Sequence, residues 1–180
     1  MRYLCLLPAL FAAPALADDA CAPLLDRSTE RSALFDTLKT SPTPAAGQNA
    51  ANNIWAFWMA APDARAQSLL DLGMESRLST DLAASADYLD QLVTYCPDFA
   101  EGWNQRAFTR FLQNQFDEAL KDIDAALKIE PDHFGALAGQ AMIYFHQEKP
   151  ALAEIALRRA VAVHPWLNER ALLNDDGEAL

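Results

Sequence analysis

Cysteine, histidine, glycine and basic residues are all scarce in this 180-residue chain, and each shortage closes off a class of chemistry. The three histidines, His133, His146 and His164, stand 13 and 18 residues apart, with no HxxxH, Cys-x-x-Cys or CxxCH signal. That spacing suits neither a zinc site nor attached haem. Six glycines form no phosphate-cradling loop, and GxSxG and HExxH are missing. Lys and Arg number 14 against 25 acidic residues, a net charge of −11 without a basic stripe. Such a surface repels phosphate backbones, so nucleic acid is not an expected partner. No segment alternates with the period-two pattern of a strand. Wholesale disorder is excluded too, because 52% of residues are hydrophobic and only 22% charged.

The two termini read differently from the middle. Arg2, the apolar run Tyr3 to Leu16, and Ala15-Leu16-Ala17 before Asp18 form a secretory signal peptide, residues 1–17, cleaved after Ala17. Pro8 and Pro14 argue against a buried helix there. Asp18-Asp19-Ala20 is too polar to precede a lipid-attachment cysteine at Cys21. A periplasmic or secreted location is therefore expected. No membrane span is expected in the mature chain, since the run Ile54 to Pro62 is nine residues long, about half of what a bilayer needs. Cleavage leaves 13 basic against 25 acidic residues, a net charge of −12. It also leaves two cysteines, Cys21 and Cys96. An even count in an exported chain points to a disulfide between them, with two independent thiols or a bridge to another chain as alternatives. Closing a loop that long is worth about 4 kcal/mol in the chain-entropy model.

Between the termini every segment reads as helix. Leu24 to Lys39 places Leu24, Arg31, Leu34, Phe35 and Leu38 at helical spacing, and Thr40 to Pro44 stops it. Asn49 to Ala60 carries Ile54, Trp55, Phe57, Trp58 and Met59 and ends before Pro62. Together with the short arm ahead of them these two make a hairpin, residues 18–65, read as an N-terminal cap or a diverged repeat. Asp63 opens a helix to about Leu78, and Ser79-Thr80-Asp81 opens its partner, which ends at Cys96-Pro97. Asp98 with Glu101 has the spacing of a capping box, and Asp132 is placed to cap the next helix. Asn114 suits a left-handed turn, and Pro150 a first helical turn. Trp166 to Leu173 reads as a short capping helix followed by an acidic tail, residues 168–180 in all.

The middle of the chain then repeats itself. Ala107 is matched by Ala141, Ala119 by Ala153, Ala126 by Ala160, and Pro131 by Pro165, each pair 34 residues apart. Residues 100–133 supply Trp103, Ala107, Ala119, Ile123, Ala126 and Pro131, with Arg106 and Arg110 as departures. Residues 134–167 supply Leu137, Ala141, Tyr144, Ala153, Leu157, Ala160 and Pro165. A degenerate copy, 66–99, has Leu69, Leu72-Gly73, Ser85, Leu89 and Pro97, but Leu92 where a small residue is expected. This pattern resembles the tetratricopeptide repeat (TPR) family. The resemblance implies an all-α fold, an α-α superhelix or TPR-like solenoid of about three helix-turn-helix repeats. An N-terminal helical hairpin and a C-terminal capping helix would flank it.

In such an array the first helix of each pair lines a concave face used for binding. Rows in register are Leu70, Met74, Arg77 and Leu78; Asn104, Phe108, Phe111 and Leu112; Ala138, Met142, Phe145 and His146. The face is apolar and rich in aromatic rings and sulfur, which suits a peptide or amphipathic helix of another protein; the alternative is that these residues are core, with Phe111 and Leu112 packed against the neighbouring repeat. It lacks the basic and asparagine pattern with which some TPR proteins grip a C-terminal carboxylate, because Leu70 and Ala138 stand where Lys or Arg would help. A non-catalytic exported adaptor with no cofactor and no metal is the expected function. One rival is a small periplasmic hydrolase or metal- or haem-handling protein using His133 and His146. Another is a structural subunit that forms a homodimer through Trp55 and Trp58. Arg106 lies on the packed side of its helix and needs a carboxylate, from Asp87, Asp90 or Asp122; Arg110 is expected to reach solvent.

Overall fold

A computed structural model describes residues 20–173. The expected signal peptide, 1–17, and the acidic tail from Asn174 lie outside them. Eight α-helices are present among the described residues, packed as antiparallel pairs: α1 (Ser28–Lys39) with α2 (Pro44–Trp58), α3 (Ala64–Leu78) with α4 (Leu82–Tyr95), α5 (Ala100–Leu112) with α6 (Phe116–Ile129), and α7 (Phe134–His146) with α8 (Pro150–Val163). A 3-10 turn, Asn168–Leu172, follows where a helix from Trp166 to Leu173 was expected.

The 34-residue spacing has a direct packing cause. Ala107, Ala119, Ala126, Ala141, Ala153 and Ala160 are all buried where helices cross, and a larger side chain there would push the axes apart. In the degenerate copy the misplaced bulk of Leu92 is fully buried and lies against Gly102, where an added Cβ would come within 3.2 Å of its side chain. The missing side chain on α5 makes the room that a small residue on α4 would have made. The turn inside each of the last three pairs also repeats. Thr80, Asn114 and Glu148, again 34 apart, all adopt a left-handed backbone, with φ of 64°, 60° and 56°. Asparagine tolerates that conformation; threonine and glutamate do so at some strain.

Helix starts depart from expectation at several places. The first helix begins at Ser28 and not at Leu24, since Asp26 accepts from the Ser28 backbone N–H ahead of it. The second begins at Pro44, five residues earlier than expected. Thr43 caps it through the Ala46 N–H at 3.2 Å, and the proline occupies the first turn, where its missing donor costs nothing. Asp63 and Asp81 cap α3 and α4. The capping box at Asp98 does not form: Phe99 is the N-cap residue of α5 and makes no side-chain cap, while Glu101 is turned into the interior. Nor does Asp132 cap α7. His133 does so, with Nδ1 accepting from the Ala136 N–H, and Asp132 pairs with Arg31.

Three apolar clusters hold the helices together. One joins α3 and α4 to Phe99, and a second joins α5 and α6 to Ala136 and Ile143 of α7. The third joins Phe35, Leu38, Ala50, Ile54 and Trp58 of the N-terminal hairpin to Phe134, Leu137, Ala141 and Leu157 of the last pair. The hairpin is thus neither a cap on the first repeat nor one more repeat ahead of it: its apolar face is spent on the third.

Arg106 and Arg110 meet acids from both neighbouring helices. Arg106 donates to Asp122 at 2.6 and 2.9 Å and to Asp90 at 2.7 Å. Arg110, expected to reach solvent, also pairs with Asp122, at 2.9 Å. Asp122 is buried and holds both guanidinium groups. Breaking a buried pair strands the remaining charges. Asp122→Ala is expected to lower unfolding stability by about 3 kcal/mol, the half-exposed Asp90 compensating in part. A urea melt measures this; a loss within error would mean that Asp90 alone satisfies both arginines.

Candidate functional site

The first helices of consecutive pairs, α3, α5 and α7, approach one another more closely than the second helices do, so they form the inner side of the stack. A cavity of about 540 Å³ lies along this side. Phe108, Phe111, Met142 and Ile143 line its floor, and Arg77, Asn104 and Gln105 its polar edge. Gln48 and Trp55 of α2 form one wall, and His164, Asn168 and Glu169 close the end after α8.

The expected binding rows divide into two halves. The residues nearest the helix N-termini are covered: Leu70 is 0%, Ala138 7% and Asn104 9% exposed. Leu70 belongs to the α3–α4 core and is not free to meet a ligand, while Ala138 belongs to the cluster shared with the hairpin and shows the cavity little surface. This overturns the expectation that whole rows are open. The residues one or two turns further on remain accessible. Phe108 is 46% and Leu112 40% exposed, Leu78 and His146 are exposed, and Met74, Arg77, Phe111, Met142 and Phe145 are half-buried. Phe111 and His146 meet edge to face at 5.0 Å, with Phe116 behind them.

What covers the first half is the chain's own hairpin. Trp58 stacks on His133 with ring centroids 3.8 Å apart and planes 11° from parallel. Trp55 meets Phe134 edge to face at 5.4 Å and lies against Gly135, where a Cβ would collide with the indole. Trp166 lies against Gly47 in the same way. Arg31 bridges Glu130 and Asp132 in the turn before α7. Both ends of the hairpin are fixed on the first repeat. Cys21 and Cys96 form a disulfide, 75 residues apart in sequence. Asp63, capping α3, also accepts the Ala22 N–H at 3.0 Å and the Tyr95 hydroxyl at 3.0 Å. These bonds, the Ala22 N–H first, hold its carboxyl below the usual carboxylate range. Residues 21–63 therefore span from the first repeat to the third and back.

Beneath the hairpin runs a polar chain. Glu101, 1% exposed, receives Gln105 Nε2, Asn104 Nδ2 and His133 Nε2, the last at 2.8 Å. Because His133 Nδ1 accepts from the Ala136 N–H, the proton sits on Nε2 and points at the carboxylate. Gln105 Oε1 in turn accepts from Arg77 at 2.6 Å, and Thr109 joins Arg77 to Ser85. Gln105 carries no signal of this role in the sequence, and Glu101 reads there as the far end of a capping box with Asp98.

The residues named by the rival readings are not brought together for such uses among the described residues. His133 and His146 stand at opposite ends of α7, about 20 Å apart at 1.5 Å per residue, so they cannot share one ligand. Cys21, Asp63 and Cys96 converge, but both sulfurs are committed to the disulfide. Asp122 is held by two arginines, while Asp124 accepts from Gln140. Trp55 and Trp58 face α7 and do not form a free dimer surface.

Two measurements probe this arrangement. Trp58 Nε1 is buried without a hydrogen-bond partner among the described residues, a cost of about 1–3 kcal/mol that detaching the hairpin would recover. Reducing Cys21–Cys96, or Cys21→Ser, is therefore expected to raise amide exchange first in α1, α2 and the opening turn of α7, with α5 and α6 unchanged. Uniform acceleration across all helices would mean that the hairpin and the repeats open together. His164 is buried with Nδ1 unpartnered, and burial pushes its pKa below the ordinary 6.5. The unfolded chain then binds a proton that the folded one refuses. Stability is full above about pH 6.5 and falls as the pH drops below it. His164→Gln is expected to flatten that decline between pH 6.5 and 5 in urea melts.

Comparison with known proteins agrees with this architecture. Residues 100–133 match the tetratricopeptide repeat family model. A TPR repeat-containing protein of Rhizobium etli is 32% identical over 132 residues, 73% of this chain and 65% of that protein, so the chain spans just under two thirds of this relative. Among solved structures, the TPR2B domain of yeast Sti1, in its pHsp70 complex, superposes with a TM-score of 0.56 at 20% identity. The match covers 61% of this chain and 87% of that one. YrrB, described as a TPR protein with an unusual peptide-binding site, gives 0.53 at 16% identity over 76% and 81% of the two chains. At these identities the structures show a common fold.

Proposed function

We propose that this TPR repeat protein is a non-catalytic adaptor that takes a peptide segment of another protein into the open half of its inner face. The observation that carries this is Phe108, a large apolar side chain left 46% exposed over a cavity whose size lies within the ~300–1,000 Å³ of ligand sites, with Leu112, 40% exposed, one turn further along α5. Phe111 extends this surface within the second repeat, Met142, Phe145 and His146 across the third, and Met74, Arg77 and Leu78 across the first. Rings and thioethers of this kind give contact area that adapts to different side chains. The pHsp70 complex reported for the Sti1 domain and the peptide-binding site reported for YrrB support the reading by analogy of fold.

The leader pattern at 1–17 supports an exported, periplasmic or secreted setting, and so does a disulfide, which persists in oxidising compartments. Among the described residues no helix is long and apolar enough to cross a membrane.

A photo-crosslinking amino acid at position 112 tests the site, with one at 152, an exposed leucine of α8, as control. Partner is expected to crosslink from position 112 and not from 152. Phe108→Ala with Leu112→Ala, changes that leave the buried core intact, is expected to weaken the captured partner about tenfold or more. Equal crosslinking from both positions, or unchanged affinity in the double variant, would move the binding surface elsewhere.

A further inference from the structure

We infer that Arg77 reads an acidic side chain of the peptide that occupies this groove, an assignment that rests on the groove being a peptide site. Five other arginines among the described residues have acids of their own. Arg31 has Glu130 and Asp132, Arg106 and Arg110 share Asp90 and Asp122, Arg27 has Glu30, and Arg158 has Glu154. Arg77 lines the cavity and is half-buried, yet its hydrogen bonds all end on neutral oxygens: Gln105 O at 3.3 Å, Gln105 Oε1 at 2.6 Å and Thr109 Oγ1 at 3.3 Å. Its Nε–H has no partner among the described residues.

The charge of this guanidinium persists although burial pushes its pKa down, because arginine does not give up its proton under ordinary conditions. Glu101 acts on it only at a distance. The Gln105 side-chain amide stands between them, and the Glu101 oxygens are already occupied by Gln105, Asn104 and His133. The carboxylate among the residues lining the cavity, Glu169, lies beyond α8, two repeats away. A partly desolvated cation with unspent donors, at the edge of an apolar cleft, is complementary to one carboxylate.

The geometry narrows the source of that carboxylate. The Phe108 ring covers one face of the guanidinium, 4.7 Å from ring centroid to Cζ, so an oxygen must approach in the guanidinium plane. A side-chain carboxylate on two or three bonds can reach past the ring. A chain terminus would have to bring its backbone onto it. The net charge of −11 limits the number of acids, since a run of carboxylates would be repelled at longer range. The ligand class is thus a segment with a single Asp or Glu flanked by apolar residues that meet Phe108, Phe111 and Met142.

A random decapeptide library displayed on phage, selected in parallel on the full chain and on its Arg77→Gln and Arg77→Lys variants, tests this. The wild type is expected to enrich peptides with one acid beside aromatic or aliphatic residues, Arg77→Gln the same apolar pattern without the acid, and Arg77→Lys an intermediate set. A synthesised winner and its glutamine twin should differ about tenfold in anisotropy titrations on the wild type and less than about twofold on Arg77→Gln. Apolar peptides selected without an acid, or an acid preference that survives in Arg77→Gln, would overturn the role of Arg77 and leave the groove standing. Selection that depends on a free C-terminus and on no internal acid would replace the side chain by a terminal carboxylate. No enrichment on any form would overturn the groove itself.

Discussion

A carboxylate taken out of water must be met by donors, and Glu101 is met from three directions. Gln105 and Asn104 come from its own helix, but the third donor, His133, belongs to the turn that starts the next repeat. His133 can serve only because its other nitrogen is fixed as the cap of α7, and its ring is covered by Trp58 from α2. One hydrogen bond thus sets the spacing of the second and third repeats, the start of α7 and the resting place of the N-terminal hairpin. Trp58 excludes water from that bond, which makes it stronger and its loss more costly. The same residue leaves its own indole N–H unpartnered, so the hairpin is attached mainly by shape and apolar contact.

That attachment changes what the inner face can do. Helical repeats offer a continuous surface, and here the chain spends part of it on itself. Residues 21–63 leave the first repeat, cover the near half of the third, and return, with a disulfide at one end and a triply bonded Asp63 at the other. The glycines at 47 and 135 are the sequence's provision for this, since each accepts an indole where a methyl group would not fit. Any partner meets a cleft bounded on one side by α2, narrower than the unobstructed face and with walls from both sides. Walls of that kind favour selectivity, because a wrongly shaped segment meets Trp55 and Gln48 as well as the floor.

The repeats were legible because their cause is local and periodic. Alanines at fixed intervals, prolines at the ends of pairs and Asn114 in a left-handed turn each state a constraint that acts within a few residues or between adjacent helices. The hairpin's position was not legible, for a matching reason. Trp55 and Trp58 announce that something large must be buried, but nothing in their spacing says whether α3 or α7 will bury it. The site suffered in the same way. Arg77, Phe108, Phe111 and Met142 line the cavity, yet Leu70, equally well placed by register, is closed off by core packing, and Asn104 and Ala138 reach the cavity with little exposed surface. Caps failed where side chains had a stronger use elsewhere. Glu101 and Asp132 have the composition of helix starts, and each was drawn away by a partner distant in sequence, His133 and Arg31.

Charge supplies the last step. In a chain with 25 acids and 14 bases, every base has acids to choose from, and exposed pairs contribute little to stability. Two of the buried guanidinium groups are tied to the second repeat through Asp122, which makes its helices a rigid centre. Arg77 is the exception on the inner side, balanced through an amide and not by contact. A protein with so many carboxylates available could have placed one beside it at no cost in composition. Leaving that place open keeps a cation in the groove, and the groove's apolar floor makes the charge count for more there than it would in water.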